Sequence, residues 1–210
     1  MKTRYSMLFG PLSVLAFGIC AADQTSRDLS SASDARQGMI EALKALGPHA
    51  SLGEQAKVFG RMVGSWDVEY SNYKKDGSVK HRSGELLVGW VMDGRAVQDV
   101  WIVYPSGERK DREFYTDIRY FDSKSGSWPA TFIDPEHAAA AKFEGGAVGT
   151  DRIVLETKDL DDPLTRWSFV DIRPNTFGFR EETSGDGGKT WKLEAEYRMT
   201  RRHGTAQVSP

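Results

Sequence analysis

From Trp66 to Met199 apolar and polar residues alternate in short runs, and a period of two predicts β-strands. Trp66, Val68 and Tyr70 alternate with Asp67, Glu69 and Ser71. The closing run is the strictest, with Trp191, Leu193, Ala195, Tyr197 and Met199 set against Lys192, Glu194, Glu196 and Arg198. Between them, Ser78 to Met92 predicts one long strand or two short ones, with Gly84 marking a bend. Arg95 to Tyr104, Glu113 to Phe121 and Trp128 to Ile133 predict further strands. So do the short runs around Phe143, Ile153 to Leu155, Trp167 to Val170 and Phe177 to Phe179. Pro135 to Ala141 reads as a loop or a single helical turn. Asp93-Gly94, between two apolar runs, supplies the positive φ angles of a tight hairpin turn.

Ahead of Trp66 the period differs. Met39, Ile40, Leu43 and Leu46 fall on one face of a helix that Gly47-Pro48 stops. Ser51-Leu52-Gly53-Glu54 reads as a capping box, which predicts a second helix with Leu52, Val58, Phe59 and Met62 along its apolar stripe. The expected order is therefore a helical segment over 34–63 and then about nine or ten strands over 64–202. Links of hairpin length argue for an antiparallel up-and-down meander, and closure into a barrel removes its edges. The open sandwich is the alternative.

Composition changes this picture mainly at the start of the chain. Lys2 and Arg4 precede an apolar run from Met7 to Ala21, and Cys20-Ala21-Ala22 offers a cleavage site, so residues 1–22 read as a secretion signal. The run is too short for a good transmembrane helix. Its removal takes the formal charge from −2 to −4, which leaves no broad basic surface for nucleic acid. Cys20 is the only cysteine. A lipidated Cys20 is the alternative to simple secretion, disfavoured because Ile19 stands where a lipoprotein signal wants a small residue. Residues 23–33 read as a flexible leader and 203–210 as a tail. The sequence leaves the oligomeric state open.

Gly64-Ser65-Trp66 opens the first strand directly behind a helix. A Gly-x-Trp in that place, followed by a meander, resembles the calycin barrels: lipocalins, fatty-acid-binding proteins and nitrobindin-like domains. The resemblance implies a calycin-like barrel in which Trp66 plugs one end, paired with an Arg of the last strand; Arg198, Arg201 and Arg202 are available, with Arg198 inside the strand pattern. More closely, the chain resembles secreted bacterial proteins of the DUF1579 family. That likeness rests on Gly47-Pro48-His49, Leu52, Gly64 to Val68, Asp93-Gly94-Arg95, Tyr120-Phe121-Asp122 and Tyr197-Arg198. It implies the barrel and no particular activity.

Nitrobindin-type haem binding wants glycines after the Trp and a His on a late strand. Here Asp67-Val68-Glu69 follows Trp66, and His203 lies in the tail, so no haem and no other cofactor is expected. His49, His81, His137 and His203 show no metal spacing, so no metal is expected either. Ser184-Gly185-Asp186-Gly187-Gly188-Lys189-Thr190-Trp191 matches the Asp-box of sialidase propellers, but it occurs once. It reads as a structural turn in which Asp186 binds backbone amides and Trp191 packs beneath. Asp161-Asp162 and Glu181-Glu182 are neighbours, and strand neighbours face opposite sides, so neither pair is a ready acid/base couple.

What remains is a pocket inferred from parity. Arg95, Val97, Asp99 and Trp101 share one face of their strand, and Ala96, Gln98, Val100 and Ile102 the other; the pattern alone does not say which is inward. Three functions follow. One is a secreted or periplasmic binder of a small, partly apolar or aromatic molecule, with Trp90, Trp101, Trp128 and Trp167 for apolar contact and Asp99, Arg119 and Arg180 orienting polar groups. The second is an enzyme of isomerase, cyclase or hydrolase type, with Asp99 as a desolvated acid or base and Arg180 stabilising an anion. The third is an envelope interaction module with a filled barrel.

Overall fold

A computed structural model describes residues 33–157 and 163–202. The signal and most of the leader, Cys20, Asp161-Asp162, His203 and the rest of the tail lie outside them. The chain divides into a leading unit, Met1–Ala42, and a second, Leu43–Pro210. In the first, residues 33–42 are helical and the helix runs on to residue 43; Met39 and Ile40 are exposed, so the apolar face expected there is not a buried one.

The second unit contains the barrel. Its ten strands among the described residues are β1 (Gly64–Tyr73), β2 (Val79–Val91), β3 (Ala96–Val103), β4 (Glu113–Tyr120), β5 (Trp128–Asp134), β6 (Ala139–Val148), β7 (Arg152–Thr157), β8 (Leu164–Val170), β9 (Thr176–Ser184) and β10 (Lys192–Arg201). Each pairs antiparallel with its neighbour in sequence, and β1 pairs with β10, which closes the ring. Gly84 is no break in β2: a Cβ there would meet the backbone of Ile102, so the glycine lets β2 and β3 approach closely. The stretch Pro135–Ala141 is a turn that enters β6 at Ala139.

The β2–β3 connection shows the expected Asp-Gly chemistry. Asp93 and Gly94 both have positive φ, and the Arg95 amide donates to the Met92 carbonyl at 3.1 Å. Residues 43–49 run along this hairpin: the Met92 amide donates to the Leu43 carbonyl, and the His49 amide to the Gly94 carbonyl at 2.9 Å. A Cβ on Gly94 would strike the backbone of Gly47 and His49.

The second expected helix is instead a 3₁₀ helix, Ala50–Gln55, running into a short α-helix, Ala56–Gly60. Its cap is His49, whose Nδ1 accepts from the Ser51 amide at 3.1 Å, not the Ser51 hydroxyl. The left-handed φ of Gly53 is incompatible with a continuous α-helix through a capping box.

This helical piece packs over one end of the barrel and closes it. Trp66 is fully buried there, its indole N–H donating to the Met62 carbonyl at 2.8 Å and its ring edge-on to Phe177 at 4.6 Å. The Arg that covers it is Arg201, 3.9 Å above the ring, and not Arg198, which points outward and is exposed. Parity explains the difference. Trp66 pairs with Arg201 across β1 and β10, whereas Arg198 pairs with Glu69 on the outer face. The Arg201 guanidinium also donates to the carbonyls of Val63, Arg61 and Pro174 at 2.7 to 3.0 Å. A Cβ on Gly64 would clash with that guanidinium, so the first residue of the Gly-x-Trp is spacing for the Arg.

Candidate functional site

Inward residues follow one parity around the ring. On β3 they are Val97, Asp99, Trp101 and Val103, all buried. Antiparallel register carries the choice to the next strands, placing Asp117 opposite Asp99 and Phe132 opposite Asp117. It likewise sets Trp167 opposite Glu181, and Phe179 opposite Tyr197. Large apolar side chains fill the barrel up to the level of Phe59, Trp128 and Phe169, which meet edge-on at 5.0 to 6.2 Å. Beyond that a cavity of about 290 Å³ opens.

An aromatic wall surrounds this cavity. Phe179 stacks on Tyr197 at 5.0 Å, and Trp101 lies 5.7 Å from Phe179 and 6.0 Å from Tyr197. Trp167 stands 5.8 Å from Phe179, backed by Phe143 at 3.8 Å. Tyr70 and Tyr115 bring hydroxyls, and Asn72, Arg82, Asp117, Asp134 and Glu181 complete the polar lining. Most of these polar groups have partners. Arg82 donates to Glu113 at 2.8 Å, and Glu113 also accepts from the Tyr115 hydroxyl. Burial pushes the Glu113 carboxyl up, but these donors outweigh it and hold it below the usual range. Asp134 accepts from the His137 amide and ring.

Two groups differ. The Tyr70 hydroxyl is buried at the cavity with no hydrogen-bond partner among the described residues, and burial raises its pKa strongly. Glu181 forms no ion pair among the described residues. Burial pushes its carboxyl up, Trp167 works the other way, and the charge of Glu194 adds to the rise.

Beneath the cavity lies an ionic trio with almost no solvent exposure. Arg119 bonds Asp99 through one terminal nitrogen and meets Asp117 at 2.8 Å, with its Nε donating to Asp117 at 3.1 Å. The guanidinium is 4.6 Å from the Phe59 ring centroid and 5.6 Å from that of Phe169. Asp99 and Asp117 face each other across β3 and β4, an arrangement of like charges that is unfavourable without the Arg between them. Burial raises both carboxyls, opposed by the charge of Arg119.

The residues named from the sequence therefore separate. Trp101 and Trp167 line the cavity. Asp99 and Arg119 point inward but sit below it, Asp99 reaching it only through the trio. Trp128 is packed against Phe59 and Phe121 at the closed end and does not reach the cavity. Trp90 is buried against the helical piece, where a Cβ on Gly60 would touch its ring. Arg180 is on the outer face, exposed and paired with Glu196 at 2.9 Å, so it neither binds within the cavity nor assists Asp99. The odd parity of β9 turns Phe177, Phe179 and Glu181 inward and Arg180 out. Glu181 shares the face of Phe179, two residues along, and its neighbour Glu182 the other face; which of the two faces turns inward is set by closure of the ring.

Asp186 and Trp191 form the β9–β10 turn. Asp186 accepts from the amides of Lys189 and Thr190, both at 2.9 Å, and from the Thr190 hydroxyl at 2.6 Å. These donors lower its pKa to about 2. The Trp191 indole donates to Gly188, and Arg166 lies 3.6 Å over its ring. Among the described residues no three His, Cys, Asp or Glu side chains are grouped to hold a metal ion, and no helix is long and apolar enough to cross a membrane.

No protein-family model matches the chain, and no curated protein matches it. Solved structures do. The crystal structure of Rv2717c from M. tuberculosis superposes with a TM-score of 0.54 at 13% identity, covering 74% of this chain and 99% of that one. An S-type phycobiliprotein lyase, CPES from Guillardia theta, gives a TM-score of 0.48 at 14% identity, covering 69% and 90%. At such identities the likeness is one of fold, and the chain folds as a calycin-like, closed up-and-down β-barrel.

Proposed function

We propose that this chain is a secreted or periplasmic barrel that binds a small, partly apolar or aromatic molecule inside its ring. The observation that supports the reading is the cavity itself, about 290 Å³, with an aromatic wall and a few inward polar groups above a tightly packed floor. A scaffold with a filled barrel would have no such space. Trp101 and Trp167 stand in the wall, so a bound compound alters their emission. A library of small aromatic, lipid and sterol-like compounds is titrated against the protein by intrinsic fluorescence. Saturable quenching or a spectral shift is expected, and its absence across the library refutes the reading. The exported location rests on residues 1–22 and is checked by cell fractionation, with the mature N-terminus read by mass spectrometry. Membership of the DUF1579 family is proposed on the motifs quoted above.

A second reading is supported by Asp117. It is a buried carboxyl that lines the cavity, and burial raises its pKa above the usual carboxylate range, which favours a role as general acid or base. Asp117, rather than Asp99, is the residue in position for that role. Under this reading a bound compound is chemically changed, and Asp117→Asn abolishes the change while compound still binds. Recovery of every bound compound unaltered refutes it.

A further inference from the structure

The charges around the cavity do not cancel. Arg82, its cationic lining residue, is committed to Glu113. Asp117 is committed to Arg119, and Asp134 accepts from His137. Glu181 is left as a lining carboxylate with no basic partner among the described residues. The nearest ammonium along β10, that of Lys192, pairs with Glu194 at 2.9 Å instead. Around Glu181 stand the faces and edges of aromatic rings: Trp167 directly opposite in register, Tyr197 on the next strand, Phe179 in contact with both, and Trp101 in contact with Phe179 and Tyr197. The Tyr70 hydroxyl, buried and unpartnered, is a further oxygen at the same cavity.

A carboxylate inside an aromatic box is complementary to one class of ligand. The negative faces of the rings attract a cation that is poorly hydrated, and the carboxylate neutralises it. We propose that the cavity receives a small organic cation, an alkyl- or arylammonium, with Glu181 as its counter-ion and Trp101, Trp167, Phe179 and Tyr197 as its walls. The proposal rests on the small-molecule-binding reading and names the ligand class for it. The cavity, about 290 Å³, has room for a short-chain quaternary ammonium. The cation also offsets the desolvation of the half-buried Glu181 carboxylate, which a neutral ligand of the same shape leaves in place. Selectivity for charge over shape is the expected signature.

The test compares choline with dimethylbutanol, the neutral molecule in which carbon replaces its nitrogen. Both are titrated into the full-length mature protein at constant ionic strength, following tryptophan emission and heat. Choline is expected to bind at least tenfold more tightly than the isostere. Glu181→Gln, which keeps the side chain's volume, is expected to erase that preference without weakening the isostere. Equal binding of the two by the wild-type protein overturns the proposal and needs no variant. So does a Glu181→Gln protein, folded by circular dichroism, that keeps the preference. If neutral aromatic or apolar compounds bind and ammonium compounds do not, the cation proposal fails while the small-molecule reading stands. If nothing binds, both fall.

Discussion

Replacing Arg119 with Met tests how the floor of the cavity is held together. The substitution keeps an unbranched side chain of useful length between Phe59 and Phe169 and removes the charge. Asp99 and Asp117 are then left face to face, both buried, with no cation between them. Breaking a buried ion pair by deleting one partner costs about 3–5 kcal/mol, because the remaining charge is uncompensated. The cost depends on pH in a definite direction. An aspartate in the unfolded chain titrates near 3.9. Burial already holds Asp99 and Asp117 above that value in the folded protein, and loss of Arg119 raises them further. Above pH 4 the folded variant therefore binds more protons than the unfolded chain, and its stability falls as pH rises through the raised values.

Arg119→Met should consequently lose about 3–5 kcal/mol at pH 8. It should lose markedly less at pH 5, where the aspartates can take up protons, and each unit of additional pKa shift adds about 1.4 kcal/mol to the difference. Urea unfolding of wild type and variant at both pH values, followed by tryptophan emission, measures the two losses; the wild-type comparison cancels every other titrating group. A loss below about 1 kcal/mol at pH 8, on the scale of an exposed ion pair, would refute the argument. So would an equal loss at both pH values. Adding Asp99→Asn and Asp117→Asn to Arg119→Met should restore most of the stability, since removing a whole buried ionic group is far less costly than removing half of it.

Gly64→Ala forces a side chain against the Arg201 guanidinium at a φ of 139°, and should cost about 1–3 kcal/mol in thermal or urea unfolding. Arg201→Ala leaves carbonyls of Arg61, Val63 and Pro174 without their donor and uncovers Trp66, for a loss of about 2–4 kcal/mol; Arg198→Ala on the outer face should stay within about 0.5 kcal/mol. Arg180→Ala should leave the affinity of any cavity ligand unchanged in the fluorescence titration, because its side chain is outside the ring. Asp186, held near 2 by the turn's donors, titrates higher when unfolded, so its stabilisation is present above about pH 4 and lost as the pH falls toward 2. Asp186→Asn should flatten that acid limb of the stability profile.

The alternation of apolar and polar residues determined the strands, their up-and-down order and the existence of a closed end, because pleat parity and turn residues act over a few positions. Asp93-Gly94 and the Asp186 turn were legible for the same reason: their hydrogen bonds stay within five residues. The helical segment was less legible, since the positive φ of Gly53 and the docking of residues 43–49 on the β2–β3 hairpin depend on partners distant in sequence. Only the tertiary structure decided which face of each strand turned inward. A single strand's two faces are equivalent until the ring closes, and β3 carries hydrophobic residues on both. Closure chose Asp99 and Trp101 over Gln98 and Val100, sent Arg180 and Arg198 outside, put Arg201 rather than Arg198 on Trp66, and brought Glu181 in among the rings. Those outcomes follow from the pairing of residues far apart in the chain, and no local pattern encodes them.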